Sequence, residues 1–258
     1  MGYETGDGTV GKAITVLDLV ASFGRPVRFS EVLQKSNFPK PTLYRFIQSL
    51  TNQNMLSYDN ERQTYAPGLR LLRLAHAAWE QSSLAPIARP FLDNLAKSVG
   101  EAVHLAQIDS GQVLFIDKRS ASAGFDTLAQ AGQIAPAYCT GVGKVILAFM
   151  DDDLRARALQ QQAFMKYTAA THDGATALSA ELTSIRHDGV AYDREEHESG
   201  IISIAAPILI RNDVVIGAVS VATTTARHDL AGLEAFRPQL LKTADQIGAE
   251  ARNWQSPT

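Results

Sequence analysis

Apolar positions recur at helical spacing through the N-terminal stretch of the chain. Ile14, Leu17, Leu19 and Val20 fall on one broad face, which predicts a first helix ended by Ser22-Phe23-Gly24-Arg25-Pro26. Phe29-Ser30-Glu31-Val32-Leu33 reads as the start of a short second helix with Ser30 as its N-cap. Beyond Ser36-Asn37-Phe38-Pro39, the segment PKPTLYRFIQSL places Leu43, Phe46, Ile47 and Leu50 at spacings of three and four, the signature of a third helix. Two short helices across a tight turn suit helix-turn-helix geometry. Met55 to Tyr58 and Gln63 to Tyr65 then flank the polar Asp59-Asn60-Glu61-Arg62, which predicts a hairpin, or wing, closed by Pro67 and Gly68. Leu69, Leu72, His76 and Trp79 form one stripe of a following helix, and Trp79 is placed there as a subunit contact.

The pattern changes after residue 83. Ser83 is expected to cap a helix containing Leu84, Ile87, Phe91, Leu92, Leu95 and Val99, with Pro86 in its first turn and Pro90 bending it. Strands follow at 102–108 and 112–117 around Asp109-Ser110-Gly111, and a third at 134–138. Helices at 142–150, 152–163 and 177–188 come next, then strands at 190–194, 201–210 and 214–224 and a last helix near 229–250. Hairpin-linked strands interrupted by helices predict a mixed antiparallel α/β domain, so the whole is α+β. Successive strand-helix-strand crossovers are missing, which excludes a doubly wound nucleotide fold. Gly141-Val142-Gly143-Lys144 also lacks the longer glycine loop and terminal Ser/Thr of a phosphate-binding P-loop.

Composition adds that these elements have ample core: 258 residues, 45% hydrophobic and 20% charged, fit one large or two smaller globular domains. The formal net charge of -3 argues against a protein that is basic overall. It conceals an asymmetry, because residues 1 to 75 carry nine Lys/Arg against six Asp/Glu while the remainder is acidic. One cysteine, Cys139, permits no intrachain disulfide and no multi-cysteine zinc site, consistent with a reducing compartment. The N-terminus lacks the form of a secretory signal, and the runs VILAFM and IISIAAPILI are too short to span a membrane. A cytoplasmic protein without a membrane partner is the expectation.

Candidate chemistry follows from this organisation. On the third helix, Lys40 and Arg45 are placed to contact phosphates, while Thr42 and Tyr44, with Arg45, lie nearest base edges when the helix enters a major groove. Arg28 before the second helix and Arg62 at the wing tip complete the predicted DNA-binding set. As a competing reading, Cys139 could act as a nucleophile with His104 as base, although no contiguous nucleophile motif supports it. His172, His187, His197 and Glu198 lack the spacing of a metal motif, and surface or capping roles are preferred. No cofactor is expected.

The segments GKAITVLDLVASFGRPVRFSEVLQKSNFPKPTLYRFIQSL, MLSYDNERQTYAPG, EAVHLAQIDSGQVLFIDKR, CTGVGKVILAF and SIRHDGVAYDREEHESGIISIAAPI, in that order, resemble the IclR family of bacterial transcription regulators. The resemblance covers nearly the whole chain. It implies a winged helix-turn-helix at 8–68, a linker helix at 69–82 and a GAF- or PAS-like effector-binding domain at 83–254, assembled as a homodimer or dimer of dimers on double-stranded operator DNA. It further implies an effector pocket, for a small organic or aromatic acid, from Cys139, Gly141, Val142, Asp193, Ser203 and Ser220. Ala222 stands where some members of the family carry a second pocket serine, and Cys139 occupies a variable position. The expected function is ligand-responsive control of a catabolic operon; repression and activation are not distinguishable at this level.

Overall fold

The computed structural model describes residues 8–81, 84–109, 111–120 and 129–254. The expected cap Ser83, the hairpin residue Ser110 and the side chain of Trp79 lie outside the described residues. The chain falls into two compact units, divided between Gln81 and Ser82.

The N-terminal unit begins with α1 (Thr9–Ala21), α2 (Phe29–Lys35) and α3 (Lys40–Asn52), followed by β1 (Leu56–Asp59), β2 (Thr64–Pro67) and α4 (Leu69–Gln81). Its core is one cluster of Val16, Leu17 and Val20 from α1, Val32 from α2, Leu43, Phe46, Ile47 and Leu50 from α3, and Leu56 and Tyr65 from the hairpin. Two expectations change here. Ile14 is half exposed, because the buried face of α1 is rotated toward Val16. The N-cap of α2 is Arg28, two residues before Ser30, and its N–H donates to the Glu31 carboxylate at 2.8 Å, so a returning acidic side chain closes the turn. Val27 adds a short bridge to the wing through reciprocal backbone bonds with Tyr65 of 2.9 and 2.7 Å. Leu69 and Leu72 of α4 are mostly exposed in the single chain.

The C-terminal unit opens with α5 (Leu84–Val99), which runs on through Pro90. It continues with β3 (Ala102–Asp109), β4 (Gln112–Arg119), β5 (Ile134–Pro136), α6 (Gly141–Phe149), α7 (Asp152–Gln160) and α8 (Ala175–Asp188). It ends with β6 (Ala191–Arg194), β7 (Ile201–Leu209), β8 (Val215–Thr224), α9 (Leu230–Glu234) and α10 (Arg237–Trp254). Six strands form one antiparallel sheet in the order β5-β4-β3-β8-β7-β6. Helices α5 and α10 pack together on β3 and β7, while α6 packs on β7 and β8 and against α8. The third strand is shorter than its sequence suggests, since Ala137–Cys139 tighten into a 3-10 turn. The last helix is broken: α9 ends at Glu234, and a new start with Pro238 in its first turn begins α10.

Register positions the site. Residues paired directly across neighbouring strands share one face of a sheet. Asp193 pairs with Ser203 and Ser203 with Ala222, while Ala205 pairs with Ser220 and Ser220 with His104. These two rows lie two residues apart along each strand, so Asp193, Ser203, Ala222, Ser220 and His104 all face the same side.

Candidate functional site

In the N-terminal unit, the polar side of α3 opposite the buried Leu43, Phe46, Ile47 and Leu50 carries the predicted contacts. Lys40, Tyr44 and Arg45 are exposed and Thr42 is partly exposed at the flank. Pro41 sits in the first turn, where its missing N–H costs no helical bond. Tyr44 meets Phe29 edge-on with centroids 6.0 Å apart, which steadies a ring that is otherwise half exposed. Arg28 is exposed at the start of α2. Arg62 is exposed at the tip of the wing, with a long ion pair of 3.9 Å to Asp59. These six residues therefore sit on α3, the start of α2 and the wing, five of them exposed and Thr42 partly so.

In the C-terminal unit a cavity of about 40 Å³ lies between the start of α6 and the sheet. Its lining includes Thr140, Gly141, Val142, Asp193, Ser203 and Ser220. Thr140 is the N-cap of α6: its hydroxyl accepts from the Gly143 N–H at 3.2 Å and donates to the Pro136 carbonyl at 2.9 Å. The N–H groups of the first helical turn have no partner within the helix and carry the positive end of its dipole, which favours a bound anion. Close approach explains the two glycines. A Cβ on Gly143 would stand 2.4 Å from the Ala137 carbonyl oxygen, and one on Gly141 would stand 2.9 Å from Ser203 Oγ.

Asp193 is buried at the end of β6, and its Oδ1 accepts from the Glu196 N–H at 2.8 Å. Burial pushes its carboxyl up to about 7; the charge of Glu196 adds to this, while the backbone N–H groups of Glu196 and His197 and the Lys144 ammonium oppose it. His197, also on the wall, is pushed down by burial and so favours the neutral ring. Cys139, expected among the effector contacts, is fully buried in the apolar cluster with Ala137, Tyr138 and Val142 and does not line the cavity. Burial drives its thiol far above the ordinary value, which removes the chemical basis for a nucleophile.

Lys144 shows what local pattern reading misses. It is fully buried on α6, and its ammonium meets Glu196 after β6 and Glu181 of α8, the latter at 2.9 Å. His172 Nε2 lies 2.6 Å from the other Glu181 oxygen and 3.5 Å from Glu196, and Arg194 reaches Glu181 at 2.9 Å. Among the described residues, His172, Glu181 and Glu196 are the one grouping with metal-type donors close together. Lys144 and Arg194 already neutralise the two carboxylates, so the group serves as an ion-pair knot between α6, α8 and the loop after β6. Its members are too far apart in sequence for any spacing rule to join them. Thr140, by contrast, carries a legible signal, a threonine immediately before Gly-Val-Gly at a helix start.

Comparison with known proteins settles the relationship. The family model described as "Bacterial transcriptional regulator IclR C-terminal" matches residues 76–249, and "IclR helix-turn-helix domain" matches residues 9–60. The chain belongs to the IclR family. This IclR-family chain is 27% identical over 244 residues to the HTH-type transcriptional regulator KdgR of Escherichia coli, covering 94% of this chain and 93% of that protein. It superimposes on the crystal structure of Thermotoga maritima IclR with a TM-score of 0.76 at 26% identity, covering 95% and 98% of the two chains. An IclR homologue from Microbacterium hydrocarbonoxydans, solved in complex with 4-hydroxybenzoate, shares the fold with a TM-score of 0.79 at 20% identity over 95% and 100%. The family and its characterised members are transcriptional regulators and not enzymes. Among the described residues of this IclR-family regulator, no helix is long and apolar enough to cross a membrane.

Proposed function

We propose that the chain is a ligand-responsive regulator that binds paired operator half-sites as a homodimer or dimer of dimers and controls a catabolic operon in response to a small organic acid. One observation carries this reading: an exposed helix face bearing Lys40, Tyr44 and Arg45 in one unit accompanies a cavity at the start of α6, lined in part by Asp193, Ser203 and Ser220, in the other. Lys40, Arg45, Arg28 and Arg62 hold the backbone, while Thr42 and Tyr44 read base edges. The exposed Leu69 and Leu72 of α4 supply apolar surface for pairing of two chains. In the cavity, first-turn N–H groups at Gly141 and Val142 take a carboxylate, and Ser203, Ser220 and Asp193 orient the remaining oxygens. An apolar cavity that accepts benzene measures on the order of 150 Å³, so about 40 Å³ favours a short aliphatic acid. An aromatic acid such as that held by the M. hydrocarbonoxydans homologue requires the wall to open. The effector acts by binding one arrangement of the DNA-binding heads more tightly than another.

Genomic DNA selection with the purified protein, followed by screening of metabolites against the selected operator, tests the reading. A motif of two related half-sites and a small acid that changes its affinity are expected. Lys40→Ala with Arg45→Ala lowers the slope of log affinity against log salt by roughly 0.9 for each lost phosphate contact; an unchanged slope refutes the placement of α3. Ser203→Ala with Ser220→Ala abolishes the metabolite response, and a full response in that variant refutes the pocket.

A further inference from the structure

The ion-pair knot uses one edge of each of its carboxylates. Lys144 Nζ meets Oε1 of Glu181 and Oε1 of Glu196; Arg194 reaches the same Glu181 oxygen, and its backbone N–H donates to the same Glu196 oxygen. The other edge is different. Oε2 of Glu181 and Oε2 of Glu196 both face Nε2 of His172, at 2.6 and 3.5 Å, and the three atoms lie within 4.8 Å of one another. Glu196 is almost fully buried, and its Oε2 has no hydrogen-bond partner among the described residues. A carboxylate oxygen left bare in the interior is costly, so this edge calls for an occupant. The frame around it is already built. The Glu196 N–H donates to Asp193 Oδ1 at 2.8 Å, and its carbonyl accepts from Thr171 Oγ1 at 2.6 Å. Thr171 immediately precedes His172, so one hydroxyl ties the loop that carries the imidazole to the loop that carries the carboxylate.

We propose that His172 Nε2, Glu181 Oε2 and Glu196 Oε2 bind one zinc ion or similar first-row divalent cation, with water in the fourth position. Bonds of about 2.0 to 2.2 Å in a tetrahedron set ligand atoms about 3.3 Å apart. The pair at 3.5 Å already fits that spacing. The pair at 2.6 Å is a hydrogen bond, and it opens by about 0.7 Å as the metal takes the place of the shared proton. Metal-ligating carboxylates are themselves oriented by hydrogen bonds, and Lys144 supplies one to the rear oxygen of each glutamate. One imidazole with two carboxylates suits zinc better than magnesium or calcium, which favour all-oxygen shells. The two glutamates balance the charge of the ion within its own shell. Lys144 and Arg194 stay behind the carboxylates, where they weaken the site without blocking it. His172 and Glu181 are each about one-fifth exposed, which gives the ion an entry and the fourth position its water. A bound ion clamps α8 to the loop after β6, whose His197 and Glu198 line the cavity.

Titration of the full chain with cobalt(II), after dialysis against a chelator, tests this directly. Expected are one cobalt ion per chain, a visible absorption band of four- or five-coordinate cobalt, and loss of that band on addition of one equivalent of zinc. His172→Ala and Glu196→Gln should each weaken cobalt binding by more than roughly 100-fold, beyond what loss of a merely orienting group costs. His187→Ala, at an exposed imidazole paired with Asp188, should leave it unchanged. No uptake at tens of micromolar metal overturns the proposal. So does binding that survives His172→Ala, and so does binding lost in His187→Ala, which would make the ion adventitious to the surface. If Glu196→Gln fails to fold, His172→Ala, at a partly exposed position, decides alone.

Discussion

Replacing Lys144 by Met removes the centre of the buried ion-pair knot while retaining most of its volume. The side chain is fully buried, Glu196 is nearly so, and Glu181 is about one-fifth exposed. Glu181 keeps Arg194 at 2.9 Å and His172 at 2.6 Å, but Glu196 is left with His172 at 3.5 Å and the Arg194 backbone N–H at 3.3 Å. Stranding a buried carboxylate without a close cation costs about 3 to 5 kcal/mol. The loss should fall on the C-terminal unit, read as faster amide exchange in α6 and α8 and an earlier urea midpoint. It should also depend on pH. Burial raises the Glu181 carboxyl, but the Lys144 and His172 contacts outweigh that and hold it below the ordinary range. A depressed folded-state value contributes stability above the unfolded value and loses it as pH falls through the folded one. The Met variant should therefore lag wild type most at pH 7 to 8 and least below pH 5. Adding Glu196→Gln should recover most of the deficit, whereas Glu181→Gln recovers less. A Lys144→Met protein within about 1 kcal/mol of wild type at pH 7.5, or a deficit independent of pH, refutes the reasoning.

The loop glycines separate fold from function. Gly143→Ala drives its Cβ into the Ala137 backbone and should lower stability by about 1 to 3 kcal/mol in thermal melts. Gly141→Ala presses chiefly on the end of the Ser203 side chain, so it should fold normally yet lose the effector response in a DNA-release assay. Asp193→Asn tests the buried acid without any ligand. A carboxyl raised in the folded state favours folding fully only below its unfolded value and loses that contribution as pH rises toward about 7. The Asn variant should thus gain roughly 2 to 3 kcal/mol over wild type between pH 5 and pH 8 in urea unfolding, a gain that disappears if Asp193 titrates normally.

Local pattern reveals the elements better than their connections. The apolar spacing of Leu43, Phe46, Ile47 and Leu50 is a property of one helix, so α3 and its exposed face are legible in the order of residues alone. Ile14 misleads because a face more than one apolar residue wide leaves the rotation of α1 to be decided by its neighbours. Ser30 misleads because Glu31 closes the turn from inside the helix, a capping mode that needs no hydroxyl. The pocket residues Ser203 and Ser220 are accessible through family resemblance, while their common face follows from strand register, which a single strand does not specify. The Lys144 knot depends on three elements meeting in space, and no local propensity encodes that meeting. Cys139 lies adjacent to Thr140 in sequence, yet that single step separates the apolar cluster from the cavity wall.

The paired rows across β6, β7, β8 and β3 give this domain a route for changing what it senses. Ser203, Ala222 and Ser220 are held in these rows by backbone pairing of their strands. Any of them can be exchanged without moving the sheet. Ala222, beside Ser203, is a position where a single hydroxyl would add a ligand contact. The start of α6 has less freedom, since Gly143 is pressed against the Ala137 backbone and Lys144 is clamped by its two carboxylates. Ligand repertoire can therefore diversify by substitution along the strand rows while the anion-holding loop stays as it is.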